Sequence, residues 1–150
     1  MLEKFGRVGE IEKVSNEMIT MFLDKNIIPV ISPVCCNRDG LELNVNADNV
    51  AFAIAKALKS EKMIFLSDVD GVYRDRNDKS SVISAISVSD IDEMIKNGTI
   101  SGGMIPKMKS CREALEVGIK NVHIINGNVK HAMLLEIFTK NGIGTILSGF

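Results

Sequence analysis

The chain has 150 residues, with 18 Lys and Arg against 19 Asp and Glu, a formal charge of −1 at neutral pH. That is length enough for a single domain with a hydrophobic core that needs no disulfide or metal, and 45% hydrophobic with 25% charged residues is ordinary globular usage. A near-neutral balance without a long basic run leaves no electrostatic footprint for a nucleic acid or an anionic membrane.

No apolar stretch reaches the roughly 18 residues that span a bilayer, and the start, Met1 to Gly6, has no signal-peptide core, so the expectation is a cytoplasmic protein. Cys35, Cys36 and Cys111 are odd in number and form no C-x-x-C, which points to reduced thiols. His123 and His131 are the only imidazoles and stand far from Cys35 and Cys36, so no metal site is expected.

In chain order, the periodicity predicts a helix over about Ser15–Lys25 that buries Met18, Ile19 and Phe22, then a strand over Ile27–Val34. Pro29 and Pro33 threaten that strand with an early break. Asn37 to Gly40 is turn chemistry, and Leu41–Val45 returns as a short extended piece. The next helix, about Ala47–Leu58, is well marked: Asn46 is a candidate N-cap, Asp48 lies in the first turn, and Val50, Ala51, Ile54, Ala57 and Leu58 recur at helical spacing. Lys62–Leu66 reads as a strand buried on both faces, ending at Ser67-Asp68-Val69-Asp70-Gly71.

A polar loop follows over Arg74–Ser81, then a helix over Ser87–Lys96 closed by Asn97-Gly98. Thr99–Gly103 leads into a helix with Pro106 in its first turn, a core stripe of Met104, Met108, Cys111 and Leu115, and Gly118 past its end. A buried strand over Lys120–Ile125, a helix over Val129–Phe138 and a last strand over Gly144–Leu147 complete the chain. Strand-length apolar runs alternating with helices predict an α/β fold, a layered αβα sandwich with a mostly parallel sheet.

Ligands of open α/β sheets bind beyond the carboxyl ends of the strands, which directs attention to Asn44–Asp48, Ser67–Tyr73 and Thr99–Lys107. In the last segment Gly102-Gly103 precedes a helix and Lys107 lies in its first turn, where a cation opposes the macrodipole. A bound phosphate resolves that conflict; a solvated lysine beside a glycine hinge is the plainer alternative. Met104 stands where the lysine of a phosphate-binding P-loop belongs, no G-x-G-x-x-G follows a strand, and Ser67 and Ser101 lack a nucleophile elbow. Asp48 is either a helix-stabilising carboxylate or one that orients catalytic lysines. Asn44 and Asn46 are turn and cap residues or a pair that holds a small polar substrate. Asp68 and Asp70 are turn formers or ligands of ribose or magnesium, Gly71 permits a positive φ, and His123 reads as a structural histidine.

The ordered set Gly9-Glu10, Ile28-Pro29-Val30, Asn44-Val45-Asn46-Ala47-Asp48, Leu66-Ser67-Asp68-Val69-Asp70-Gly71-Val72, Ser101-Gly102-Gly103-Met104-Ile105-Pro106-Lys107, Val122-His123-Ile124-Ile125-Asn126-Gly127, His131-Ala132, Leu134–Thr139 and Gly142-Ile143-Gly144-Thr145 resembles the C-terminal half of the acetylglutamate kinases, within the amino acid kinase family. The resemblance covers nearly the whole chain and implies ATP-dependent, magnesium-dependent phosphorylation of the side-chain carboxylate of N-acetyl-L-glutamate, on the arginine route. It implies that Asn44 contacts the acetylglutamate, with Asn46 beside it, that Asp48 organises the catalytic lysines, and that Lys107 stabilises charge on the transferring phosphoryl group. Ser67, Asp68, Val69, Asp70, Gly71, Val72 and Tyr73, with Thr99, Ile100, Ser101, Gly102 and Gly103, are implied to line the nucleotide site.

The family's N-terminal half, with its glycine-rich phosphate loops, second catalytic lysine and substrate-binding arginine, has no counterpart in these 150 residues. The expectation is therefore a nucleotide-binding lobe that turns over only with a complementing N-terminal lobe, with a homo-oligomer as a further arrangement. The alternatives are a non-catalytic nucleotide-binding or regulatory module, and a sister kinase acting on aspartate, glutamate, carbamate or UMP.

Overall fold

The structure, a computed structural model, describes residues 6–140 and 142–149. The reading of Met1–Phe5 as lacking a signal-peptide core lies outside the described residues. Two compact units divide the chain between Lys59 and Ser60.

In the first unit, helix α1 spans Glu17–Asp24, strands β1 (Val34–Cys36) and β2 (Glu42–Asn44) pair antiparallel, and helix α2 spans Ala47–Leu58. The turn that joins β1 to β2 is built by Asn37, whose Oδ1 accepts from the N–H groups of Asp39 and Leu41. Helix α2 starts where its sequence signal lies: Asn46 Oδ1 accepts from Asp48 N at 2.9 Å and Asn49 N at 3.3 Å, satisfying two of the otherwise unpaired first-turn donors.

Two expectations fail here. The strand expected over Ile27–Val34 is irregular chain up to β1; Pro29 and Pro33 remove two ladder donors from it, and Ile28 and Val30 are almost fully exposed. Helix α1 forms, but it buries none of the residues assigned to its core: Met18 is 65% exposed and Ile19 and Phe22 are half-buried. Periodicity reports that a helix has an apolar face and is silent on what covers it.

The second unit carries a four-stranded sheet in the order β3-β5-β6-β4, made of β3 (Lys62–Ser67), β4 (Ala85–Ser87), β5 (Asn121–Asn126) and β6 (Thr145–Ser148). β3 runs parallel to β5 and β4 parallel to β6, while β5 and β6 are antiparallel. Helices α3 (Ile91–Lys96), α4 (Met104–Glu116) and α5 (Ala132–Phe138) complete it, giving the expected α/β class with a mostly parallel sheet. Val122, Ile124, Ile125 and Leu147 of the central strands are fully buried, as are Met108, Cys111 and Ala114 of α4.

Strand β4 went unforeseen, and the helix expected over Ser87–Lys96 is a 3-10 turn at Val88–Asp90 followed by the six-residue α3. Ser87 capping Ser89 N marks that turn; three residues before a cap are too few for period-two reading. Helix α5 begins at Ala132, three residues later than expected, with the His131 cap at φ +62. Among the described residues no helix is long and apolar enough to cross a membrane.

Candidate nucleotide cleft

The carboxyl end of β3 turns at Ser67 into the loop that ends at Tyr73. The turn is pinned by Asp70, whose Oδ1 accepts from Asn126 Nδ2 at 2.7 Å and whose Oδ2 accepts from the Tyr73 hydroxyl at 2.8 Å. Hydrogen bonds from Asn126 and then Tyr73 hold the Asp70 carboxyl below its ordinary value, whereas burial, foremost, and the bond to Asp70 push the Tyr73 phenol up. Both oxygens of Asp70 are thus occupied, one fastening the loop to the end of β5 and the other closing the loop on its own Tyr73. Gly71 passes so close to β6 that a Cβ would lie 2.5 Å from Thr145 Oγ1, so a side chain at this position would have to displace the loop or Thr145.

The second wall comes from the segment after α3. Gly98, at φ +83, and the bond from Thr99 N to Asn97 Oδ1 reverse the chain, and Ile100, 1% exposed, anchors the segment in the core through its side chain. The chain then reaches Gly102 at φ +57 and Gly103, the residue that caps α4 without a side chain. Met104 N and Ile105 N make turn bonds to the carbonyls of Ser101 and Gly102 at 3.3 and 3.2 Å. Pro106 has no donor, and among the described residues no acceptor meets the N–H groups of Gly102 and Gly103. The first turn of α4 holds no acidic residue, so its positive pole faces the cleft uncompensated from its own turn. Nothing but the Arg76 guanidinium lies within 4 Å of a Cβ built on Gly102, and nothing at all near one on Gly103.

Between these walls lies a cleft of about 350 Å³ lined by Ser67, Asp68, Val69, Gly71, Val72, Tyr73, Thr99, Ser101, Gly103 and Lys107 from the expected set, with Met104 and Arg76 added. Lys107 is half-buried, its Nζ 4.5 Å above the centre of the Phe65 ring. A cation over an aromatic face is a stable arrangement, and it brings the ammonium to the rim where β3 ends. Asp68 is exposed and accepts from Ser67 Oγ at 3.3 Å.

Of the expected nucleotide residues, Asp70, Ile100 and Gly102 do not line the cleft: the first is the loop's fastener, the second its anchor, and the third the positive-φ bend that turns the chain into α4. Asn44, Asn46 and Asp48 belong to the first unit. Asn44 is exposed at the end of β2, its backbone paired with Arg7 and Gly9; Asn46 caps α2, and Asp48 is half-buried in that helix's first turn.

Two residues, one lining the cleft and one beneath Lys107, escaped the sequence reading. Arg76 donates from Nη1 to Ser101 Oγ at 3.1 Å, placing a second cation beside the glycine pair; in the sequence it is one charge in a polar loop. Phe65 supports Lys107 from a strand position that reads only as core.

The Amino acid kinase family model matches residues 2–126. The chain is 52% identical over 142 residues to an acetylglutamate kinase of Methanobrevibacter smithii, covering 95% of this chain and 49% of that protein. It is 26% identical, with a TM-score of 0.87 over 96% of its length and 33% of the other chain, to the N-acetylglutamate synthase of Neisseria gonorrhoeae solved with coenzyme A and N-acetyl-glutamate. A carbamate kinase of Giardia lamblia bound to AMP-PNP, 20% identical with a TM-score of 0.70 over 93% of this chain and 46% of that one, shares the fold. The chain spans about half the length of the curated relatives it matches. On these grounds the chain belongs to the amino acid kinase family.

Proposed function

We propose that this chain is the nucleotide-binding half of an acetylglutamate kinase, which phosphorylates the side-chain carboxylate of N-acetyl-L-glutamate from ATP to give N-acetyl-L-glutamyl 5-phosphate on the arginine route. The observation that carries this reading is the convergence of Lys107 and the open glycine start of α4 on one cleft. Phosphoryl transfer to a carboxylate needs no general base, because the nucleophile is already an anion; what it needs is positioning and charge stabilisation. Gly102 and Gly103 would present backbone donors to phosphate oxygens, and Lys107 would stabilise the charge that spreads over the transferring group. Arg76 would hold the outer phosphates from the side of Ser101. Ser67 to Tyr73 would form the wall for the nucleoside.

Magnesium fits as a companion of the nucleotide rather than as a resident ion: among the described residues no three potential ligands cluster, and Asp68 is the one carboxylate among the described residues lining the cleft. When bound there, the ion would neutralise phosphate charge. Asn44 would meet the acetylglutamate and Asp48 would organise the lysines. The Asn46 side chain is spent on capping through its oxygen, which leaves its NH2 for a substrate.

The test combines two measurements. Calorimetry on the chain alone should show Mg-ATP binding, and a hydroxamate assay for acyl phosphate should stay blank until the N-terminal half of a related acetylglutamate kinase is added. Absence of nucleotide binding contradicts the reading, and acyl phosphate formed by the lone chain contradicts the division of labour. Acyl phosphate from aspartate, glutamate or carbamate, or ADP release that depends on UMP, in place of acetylglutamate would reassign the substrate.

A further inference from the structure

A second polar cluster lies in the same unit, away from the cleft. His123 of β5 and Glu136 of α5 meet through Nδ1 and Oε1 at 2.7 Å, their side chains only 8% and 5% exposed. The other carboxylate oxygen, Oε2, accepts from Ile143 N at 2.7 Å and Gly144 N at 3.2 Å. The chain between α5 and β6 folds around this carboxylate: a Cβ on Gly142, at φ +58, would stand 2.7 Å from Oε2, and one on Gly144 would strike the carbonyl oxygen of Ile124. The glycine-isoleucine-glycine run is therefore shaped by Glu136 and by β5. Immediately after it, Thr145, fully buried, accepts on Oγ1 from Val72 N at 2.8 Å and donates to Ile83 O at 2.7 Å. Ile83 N in turn donates to Val72 O at 2.8 Å, so both backbone groups of a residue that lines the cleft are held from β6 and its neighbour.

We infer that the buried His123–Glu136 pair is a positioning device for the cleft, acting through the Ile143–Gly144 amides and Thr145 on the Gly71–Val72 wall; its functional half rests on the nucleotide reading given above. An ionised carboxylate only accepts, so with three donors on Glu136 the imidazole carries its hydrogen on Nδ1. Its Nε2 is buried and has no partner among the described residues. The ring is thus held in one tautomer by a single bond. A carboxylate with two anchored oxygens fixes the start of β6 in register and in height, which a lone threonine cannot do.

The proposal is tested on the 150-residue chain by amide hydrogen exchange, with Val72 as reporter and Ile100, bonded to Met94 O and outside the network, as reference. His123→Phe keeps the ring and removes the donor; His123→Asn puts an amide nitrogen where Nδ1 was and removes Nε2. Val72 exchange should accelerate on the order of tenfold relative to Ile100 in His123→Phe and stay near the parent rate in His123→Asn. Equal acceleration of both reporters, or the same behaviour of both variants, reduces the pair to general stability and overturns the inference. Should His123→Phe fail to fold, Glu136→Gln decides: an amide group facing Nδ1 should move the imidazole proton to Nε2, seen in the 15N shifts of the ring, and an unmoved proton overturns it. Mg-ATP affinity is then measured in the variant with the faster Val72. A parent chain that does not bind Mg-ATP defeats the nucleotide reading and leaves the exchange result standing. A parent that binds, with a variant whose affinity is unchanged, defeats the coupling to the cleft.

Discussion

Lys107 and Glu136 approach the central sheet from opposite faces. Lys107 lies over Phe65, which pairs with Ile124, while Glu136 meets His123, the next residue along β5. The first lies at an open rim beside glycines whose N–H groups meet no acceptor among the described residues; the second is buried with every carboxylate oxygen used. Charges of one fold thus serve in two ways. Burying a charge is costly unless it is paired and hydrogen-bonded, so Glu136 belongs to the fold, and a positive pole with no acid in its own turn belongs to a ligand.

The sharpest way to break this contrast is Glu136→Ala. It leaves the buried His123 Nδ1 and Gly144 amide and the half-buried Ile143 amide without their acceptor, and each orphaned buried donor costs about 1–3 kcal/mol; urea unfolding should show a loss of several kcal/mol. A loss within 0.5 kcal/mol, the ordinary scale of a surface change, would place Glu136 outside the structural half of the contrast.

Lys107→Ala is the opposite case. In an enzyme completed with an N-terminal half, kcat should fall by a factor on the order of 100 to 1000, the cost of one lost donor to transition-state charge. An unchanged rate would remove Lys107 from the chemistry.

pH separates the two clusters further. Burial pushes the Glu136 carboxyl up, but the bonds from His123, Ile143 and Gly144 outweigh it and hold the group below its ordinary value of 4.5; Asp70 is held below 3.8 by Asn126 and Tyr73. Acids depressed in the folded state add stability that is fully present above their unfolded values and is lost as pH falls through the folded ones. Urea stability should be level from neutrality down to about pH 5, then decline, and Glu136→Gln should flatten that acid limb. An identical limb in the variant would assign the decline elsewhere.

The smallest expected effect is at a purely local device: Asn46→Ala should cost about 1 kcal/mol through the lost cap of α2, read by thermal unfolding.

Legibility followed the range of the interactions. Helix α2 was plain in the sequence because its cap, its first-turn acid and its apolar spacing act within a few residues, and the cap bonds are present. Gly102, Gly103 and Lys107 stand out in the sequence for the same reason, since a glycine pair and a cation set against a helix dipole are local contradictions, and of the three Gly103 and Lys107 line the cleft. Arg76 was not, because its partner Ser101 is 25 positions away. His123 was foreseen as structural, yet its partner Glu136 passed unnoticed among the apolar residues of α5, and nothing local announces that Gly142 and Gly144 bend around that carboxylate. The strand expected at Ile27–Val34 does not form because Pro29 and Pro33 remove two ladder donors despite its apolar content, and the α1 core fails because a stripe does not reveal its cover.

The most direct test of the central claim is a titration of the 15N-labelled chain with Mg-ATP, followed at single amides. The largest shifts should fall on Gly102, Gly103 and the loop from Ser67 to Tyr73, and Lys107→Ala should weaken them. Saturable binding whose shifts spare the glycine pair and spread over other surfaces, or no binding at all, would contradict that claim.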